Sequence, residues 1–231
     1  MRLETISGDD PREMLRALRA AVLGSGPAIS LGMPAGAVDA AGNPVALEVP
    51  SGTAVVVTTS GSSGVPKSVM LSRSALTSSA LSTAARIGEG AWLLALPASY
   101  VAGLQVLVRS LVQGHEPAIL SGKFSAEAFT ATALGMVSSV GGTRVPSYTS
   151  LVPAQLGTLL DAAPHDSAVA QALRSFEAIL IGGQALPAAM AARATSGRKV
   201  STEMTAPEPA SAATTGTTRS ISSSAGIAGP G

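Results

Sequence analysis

Apolar positions along this chain keep switching between two rhythms. Met14, Leu15, Leu18, Ala21 and Val22 recur at helical spacing behind Asp9-Asp10-Pro11, an acidic cap with a first-turn proline, and Gly24 closes the segment. Residues 27–31 form a short apolar run of strand length, and 32–52 are loop-rich. Ala54-Val55-Val56-Val57 reads as a buried strand that breaks into a tight loop and re-enters the fold at Val69-Met70-Leu71. Ser72 caps a predicted helix through Ile87, with Gly88 in the stop position. Next come a strand from Trp92 ended by Pro97, a mostly apolar helix over 103–112 stopped at Gly114, a short strand at 118–120 and a helix over 126–136. Residues 144–149 read as a connection into Ser150 to Pro153, where a helix over 154–160 begins. A helix around 169–176 then precedes Ala178 to Gly183, a strand ending in paired glycines. Strands alternating with helices at this spacing predict an α/β fold with a largely parallel sheet flanked by helices. Ligand loops in such folds lie beyond the carboxyl ends of the strands, which is where the loop at Thr59 and the pair Gly182-Gly183 both fall.

The rhythm stops near Ser196. From Ser201 to Gly231 there is no Leu, Val, Phe, Tyr or Trp, and Ala, Ser, Thr, Gly and Pro make up nearly all of the stretch. Such a segment cannot bury enough apolar surface to offset its ordering entropy and is expected to be disordered. The chain therefore divides into a lead-in over 1–50, a core over 51–200 and a tail over 201–231.

Composition narrows the function classes. Fifteen basic and fourteen acidic residues, scattered singly, leave a formal net charge of +1. That builds neither the basic face of a nucleic-acid binder nor a polybasic membrane patch. The absence of cysteine removes disulfides, Cys-ligated zinc and thiol catalysis together. The first residues are too acidic and polar for a signal peptide. The longest uncharged stretch, 91–108, is interrupted by Pro97, Ser99, Gly103 and Gln105, so it reads as strand plus helix start rather than a membrane span. A soluble cytoplasmic protein is expected, with small-molecule partners, no nucleic acid and no membrane. Oligomeric state leaves no trace in the pattern.

The densest chemistry lies in Thr59 to Lys67, T-S-G-S-S-G-V-P-K. Glycines let backbone N–H groups approach a ligand closely, hydroxyls add short donors, and a lysine at the exit supplies compact positive charge. The combination suits a polyphosphate. It is not a Walker loop, because Pro66 rather than Gly precedes Lys67, and it contains no G-x-G-x-x-G.

The stretch closely resembles the phosphate-binding signature of the adenylate-forming ligases, the AMP-binding superfamily of acyl-CoA synthetases. L-P-A-S-Y-V-A-G-L from Leu96 to Leu104 resembles the superfamily's next motif, with Tyr100 standing where histidine is usual. I-G-G-Q-A-L-P from Ile181 to Pro187 resembles the segment bordering the acyl and adenine pockets. Y-T-S-L-V-P-A-Q-L from Tyr148 to Leu156, with the run from Trp92, resembles the o-succinylbenzoate–CoA ligase branch of actinobacterial menaquinone biosynthesis. The resemblance covers roughly residues 50 to 200.

It implies a two-step reaction. ATP, usually with Mg²⁺, and a carboxylate give an acyl-adenylate, then CoA displaces AMP to form the thioester. It further implies that Thr59, Ser60, Gly61, Ser62, Ser63 and Gly64 hold the β and γ phosphates, with Lys67 as counter-charge or loop anchor. Tyr100 and Gly103 would line the acyl pocket. Ser150, Leu151 and Pro153 would flank the aromatic carboxylate, and Gly182, Gly183 and Gln184 would meet its ring or the adenine. Structural readings stand beside these: Gly103 for helix packing, Tyr100 as a core aromatic, Gly182 and Gly183 as a turn, and Arg144 as either a ligand for the succinyl carboxylate or a surface ion pair.

The family pattern breaks after the strand near Val200. A Y-G-x-T-E motif is expected there, and the chain reads K-V-S-T-E-M-T-A-P-E-P, without the Tyr-Gly pair. The later aspartate, the hinge and the lysine-bearing C-terminal domain are also missing, and Lys67, Lys123 and Lys199 lie in no matching context. The expectation is a catalytically incomplete ligase, with a non-catalytic nucleotide- or carboxylate-binding remnant as the alternative. A slipped reading frame near residue 200 accounts for both the lost motif and the altered composition. Resequencing the gene across the codons for 193–231 and past the stop is expected to reveal a one- or two-base change that restores the motif; a frame confirmed as written rules the slip out.

Overall fold

The computed structural model describes residues 1–6, 10–24, 26–31, 48–60, 66–136, 139–195 and 200–202, with backbone only for 58–60, 66, 67, 195 and 200–202. The predicted tail over 201–231 therefore lies almost entirely outside the described residues. In chain order the elements are β1 (Leu3–Thr5), α1 (Pro11–Val22), β2 (Ala28–Leu31), β3 (Thr53–Ser60), β4 (Pro66–Ser72), α2 (Arg73–Ile87), β5 (Ala91–Leu94), α3 (Val101–Gln113), β6 (Ala118–Ile119), α4 (Ala126–Leu134), β7 (Ser139–Val140), β8 (Thr143–Arg144), β9 (Ser147–Leu151), α5 (Pro153–Ala162), α6 (Ser167–Ser175), β10 (Ala178–Ile181), α7 (Ala188–Thr195) and β11 (Val200–Thr202).

Two sheets carry the fold. In the first, ordered β1-β2-β3-β4, the first three strands are parallel and β4 returns antiparallel to β3. In the second, ordered β11-β10-β9-β5-β6, every pairing is parallel. Strands β7 and β8 form a separate hairpin. Read from the β6 edge, the second sheet runs second, first, third, fourth, fifth in chain order. This is a doubly wound order, and it places a topological switch point between β5 and β9.

Alternating side chains on the second sheet feed two cores. Trp92, Leu94, Tyr148, Ala178 and Leu180 join Met14, Leu18, Ile29, Val55, Leu76 and Leu107, which binds the first sheet and helices α1, α2 and α3 into one cluster. Leu93, Leu151, Ile179 and Ile181 face the other way, against Phe129, Leu156, Leu159 and Leu173 of α4, α5 and α6. The period of two along a strand is what allows four residues to serve two cores at once.

The helix signals read from sequence hold at the ends where chemistry dictates them. The Asp10 carboxylate accepts from the Arg12 N–H at 3.0 Å, and Ser72 Oγ accepts from the Ala75 N–H at 3.1 Å. Gly114 ends α3 in the left-handed conformation at φ 73°. The run at Val69-Met70 re-enters the fold as expected, as an exposed outer strand, because β4 has a partner on one side only among the described residues. One expectation differs. Ser147 to Thr149, read as part of a connection, and Ser150 and Leu151, read as the lead into a helix, together form a central strand buried along its whole length. Its pattern S-Y-T-S-L hides it, since four of its five residues are hydroxyl-bearing; one of these, Thr149, settles by donating to the Leu93 carbonyl at 2.9 Å. Among the described residues no helix is long and apolar enough to cross a membrane.

The amino end of the β5–β9 pair is locked by tight packing. Tyr148 donates its hydroxyl to the Ile87 carbonyl at 2.8 Å, and its ring lies 5.3 Å from that of Trp92. Trp92 Nε1 and the Gly90 N–H share the Gln113 side-chain oxygen, at 3.2 and 3.1 Å. A Cβ on Gly90 would stand 2.1 Å from the Pro146 carbonyl oxygen, so no other residue fits there. Arg144 pairs with Glu177 at 3.5 Å beside this end, which makes it the surface ion pair of its two sequence readings.

Burial pushes the Tyr148 phenol above its ordinary value; the Glu177 carboxylate adds to the rise and Arg144 opposes it. A raised folded pKa contributes stability that is fully present below the unfolded tyrosine value, about 10. That contribution is lost as pH rises through the folded value. Tyr148→Phe should cost about 1 kcal/mol at neutral pH for the lost hydrogen bond. It should also flatten the alkaline loss of stability, both readable from urea unfolding at neutral pH and above pH ~10.

Candidate functional site

Two structural features collect the residues singled out by sequence. The first is the hairpin of β3 and β4, in which Thr59 lies opposite Lys67 and Ser60 opposite Pro66. Gly61, Ser62, Ser63 and Gly64 come between the two strands in sequence and lie outside the described residues. The hairpin's base is tied to the neighbouring layer by Arg73, which donates its N–H to the Gly52 carbonyl at 3.0 Å and its Nε to the Ala21 carbonyl of α1 at 2.7 Å.

The second feature is the carboxyl edge of the second sheet at its switch point, where doubly wound folds bind ligands. Leu94, Ser150 and Leu180 stand in register on β5, β9 and β10, and the chain leaves each strand soon after. The Gly182 N–H donates to the Leu151 carbonyl at 3.2 Å, so the segments leaving β9 and β10 begin hydrogen-bonded together. Gly183 turns the second of them at φ 85°, where side-chain-bearing residues are strained, and Gln184 is exposed. Ser150 is buried, and its Oγ has no hydrogen-bond partner among the protein groups described. Pro153 is the first residue of α5 and is buried, while the Leu151 side chain belongs to the core with α4, α5 and α6. Leu151 therefore offers a ligand its backbone rather than its side chain.

The segment from Ala95 to Tyr100 leaves β5 at the same edge. Tyr100 is 67% exposed, which excludes the core-aromatic reading, and it precedes α3 without capping it by side chain. Gly103 has a packing reason: a Cβ there would stand 2.2 Å from the Pro97 carbonyl oxygen. Its smallness lets α3 fold back onto the segment that carries Tyr100.

Sequence reasoning missed one member of this site. Val152 is the residue before α5 and has no side-chain oxygen with which to cap the helix. Its own N–H donates to Gln155 Oε1 at 3.1 Å, so only the glutamine half of a capping box exists. Gln155 Nε2 then donates to the Ala95 carbonyl at 2.8 Å, across the switch point. A glutamine three residues after a helix start is a readable signal, obscured here by valine in place of the usual serine or threonine.

The family described as AMP-binding enzyme matches residues 8–215 of this chain. The chain belongs to that family. It is 42% identical over 142 residues to a probable 2-succinylbenzoate–CoA ligase of Mycobacterium tuberculosis, covering 61% of this chain and 35% of the relative. A 2-succinylbenzoate–CoA ligase of Bacillus velezensis is 40% identical over 76 residues, covering 32% of this chain and 15% of the relative. The chain thus spans about a third of the length of the mycobacterial relative. Among solved structures, a malonyl-CoA ligase with methylmalonyl-CoA and AMP bound superposes with a TM-score of 0.64 at 22% identity, over 86% of this chain and 50% of that one; this is a likeness of fold. The o-succinylbenzoate–CoA synthetase of Bacillus subtilis in complex with AMP gives 0.51 at 27% identity, over 66% of this chain and 30% of that one.

The unpartnered Ser150 hydroxyl separates a ligand role from a structural one. A buried hydroxyl without a partner carries a desolvation cost that the fold does not recover. Ser150→Ala should therefore leave the thermal midpoint unchanged or raise it by a few degrees. A clear fall in midpoint would mean that the hydroxyl is structurally engaged.

Proposed function

We propose that this chain serves a ligase that activates an aromatic carboxylate with ATP and passes the acyl group to CoA, with o-succinylbenzoate on the route to menaquinone as the substrate. Membership of the AMP-binding family over residues 8–215 is the observation that carries the reaction class. The substrate rests on the 42% identity with a relative named for that reaction. In the first step a carboxylate oxygen attacks the α-phosphorus of ATP and pyrophosphate leaves. In the second the CoA sulfur attacks the acyl carbon and AMP leaves.

The hairpin turn suits the first step. Thr59, Ser60, Gly61, Ser62, Ser63 and Gly64 would present N–H and hydroxyl donors to the β and γ phosphates, and Lys67 would balance charge as it shifts onto the leaving group. Among the described residues no group of three acidic or histidine side chains stands together as a metal cage. Mg²⁺, which the family reaction implies, would be held largely by the triphosphate itself, where it neutralises phosphate charge. The crevice at the switch point suits the acyl group. Tyr100 and the Gly103 approach would form one wall, and Ser150, the Leu151 backbone and Pro153 the floor. Gly182, Gly183 and Gln184 would form the opposite wall, against the ring or the adenine. A reaction that draws on ATP and CoA, in a chain without cysteine, accords with a cytoplasmic location.

Calorimetry with ATP and with a non-hydrolysable o-succinylbenzoyl-adenylate mimic, run beside a pyrophosphate-release assay, tests this reading. Both ligands should bind, and Lys67→Ala should weaken ATP by about tenfold through the lost charge-assisted contact. Pyrophosphate release that depends on o-succinylbenzoate upholds the ligase. Binding without release leaves a nucleotide-binding module, and failure to bind either ligand overturns the proposal.

A further inference from the structure

We infer that Gln155 is the positioning residue of the acyl crevice. It is a single amide that holds the segments leaving β5 and β9 at a set separation. The inference rests on the function proposed above, and its own observation is geometric. Strands β5 and β9 are neighbours in register, Leu94 beside Ser150, up to the residues where the chain leaves the sheet. Beyond that point the ladder no longer holds them together. Gln155 takes over: its oxygen accepts from the Val152 N–H at 3.1 Å and its nitrogen donates to the Ala95 carbonyl at 2.8 Å. One side chain thus spans sixty residues of sequence, with its acceptor spent on the segment leaving β9 and its donor on the segment leaving β5.

The amide is suited to this because it is fixed at both ends. Its stem starts at the third residue of α5, on a helix whose Leu156, Leu159 and Leu160 are buried in the core. Glutamine loses substantial rotamer freedom when held in this way. Capping alone would need only the oxygen, so the second bond is the feature that capping leaves unexplained. The residues held are those beside the proposed substrate contacts. Val152 lies between Leu151 and Pro153, and Ala95 opens the five-residue path to Tyr100. A shift of either wall would alter the fit of an aryl group more than that of a phosphate seated on the β3–β4 hairpin. Gln155 therefore acts on acyl recognition rather than on nucleotide binding.

Two substitutions separate the two halves of the amide. Gln155→Glu keeps the oxygen that accepts from Val152 but sets a carboxylate against the Ala95 carbonyl. Gln155→Met keeps the length and loses both bonds. Calorimetry on the full chain would use AMP alone and the o-succinylbenzoyl-adenylate mimic as probes, and hydrogen exchange would be read over 95–100 and 152–156. Both variants should weaken the mimic by about tenfold, an effect of the size of one or two lost hydrogen bonds, while AMP changes by less than about twofold. Exchange should rise over 95–100 in both variants, and over 152–156 in Gln155→Met only. Equal losses for AMP and the mimic, or unchanged affinity for the mimic, would overturn the positioning role and leave Gln155 a helix cap. If the wild-type chain binds AMP but not the mimic, the acyl-ligase reading itself fails and the role fails with it. Exchange that stays flat over 95–100 while the wild-type binds normally removes Gln155 alone.

Discussion

Strand β9 has to be buried on both faces, and much of the architecture follows from that requirement. It sits between β5 and β10 in an all-parallel sheet, so Tyr148 must satisfy one core and Leu151 the other. A strand in that position has no water to fall back on. Each polar group needs a protein partner or carries a cost. Thr149 finds the Leu93 carbonyl and Tyr148 the Ile87 carbonyl, each bond reaching to an element more than fifty residues earlier in the chain. These bonds set the height of β9 against β5 as firmly as the ladder does. Ser150, one residue further on, is left without a protein partner. The hydroxyls of Tyr148 and Thr149 are thus partnered, while that of Ser150, nearest the carboxyl end, is not among the described protein groups, the same polarity that separates stability from ligand binding in parallel sheets.

The two ends of the β5–β9 pair use glycine in different ways. At the amino end Gly90 is required by contact, since its neighbour Pro146 leaves no room for a methyl group, and the shared Gln113 oxygen fixes the same corner. At the carboxyl end Gly183 is required by conformation, at a positive φ, and it is exposed. Packing glycines fill space and belong to the core. A glycine that turns an exposed segment leaves backbone accessible, which a ligand site needs.

How much of this was legible in the sequence depends on how local each feature is. The cap of α1 at Asp10, the cap of α2 at Ser72 and the stop of α3 at Gly114 were all readable, because a cap is formed within a few residues of itself. The family resemblance was readable for the same reason: a phosphate loop draws its donors from one contiguous stretch. Strand β9 was not, because S-Y-T-S-L has no apolar run and its burial is dictated by what β5, β10 and the two helix layers place around it. The exposure of the edge at Val69 and Met70 was not legible either, since apolar residues look alike in sequence whether or not a neighbour covers them. Arg144 was ambiguous in sequence and became an ion pair only once Glu177 was brought beside it.

Gln155 shows why the crevice was harder to read than the hairpin. Its first bond is local and follows from helix-start chemistry, while its second depends on the doubly wound strand order that makes β5 the neighbour of β9 rather than of β10. Had β9 been laid down on the far side of β6, the same glutamine would cap the same helix and hold nothing else. The long-range bond is therefore a consequence of topology, and it forms at the one place in the second sheet where successive crossovers diverge. Divergence opens a crevice there, and an opened crevice needs a tie across it if its walls are to keep one spacing. In this chain a single half-buried amide satisfies a helix end and ties the segments leaving β5 and β9 at the same time.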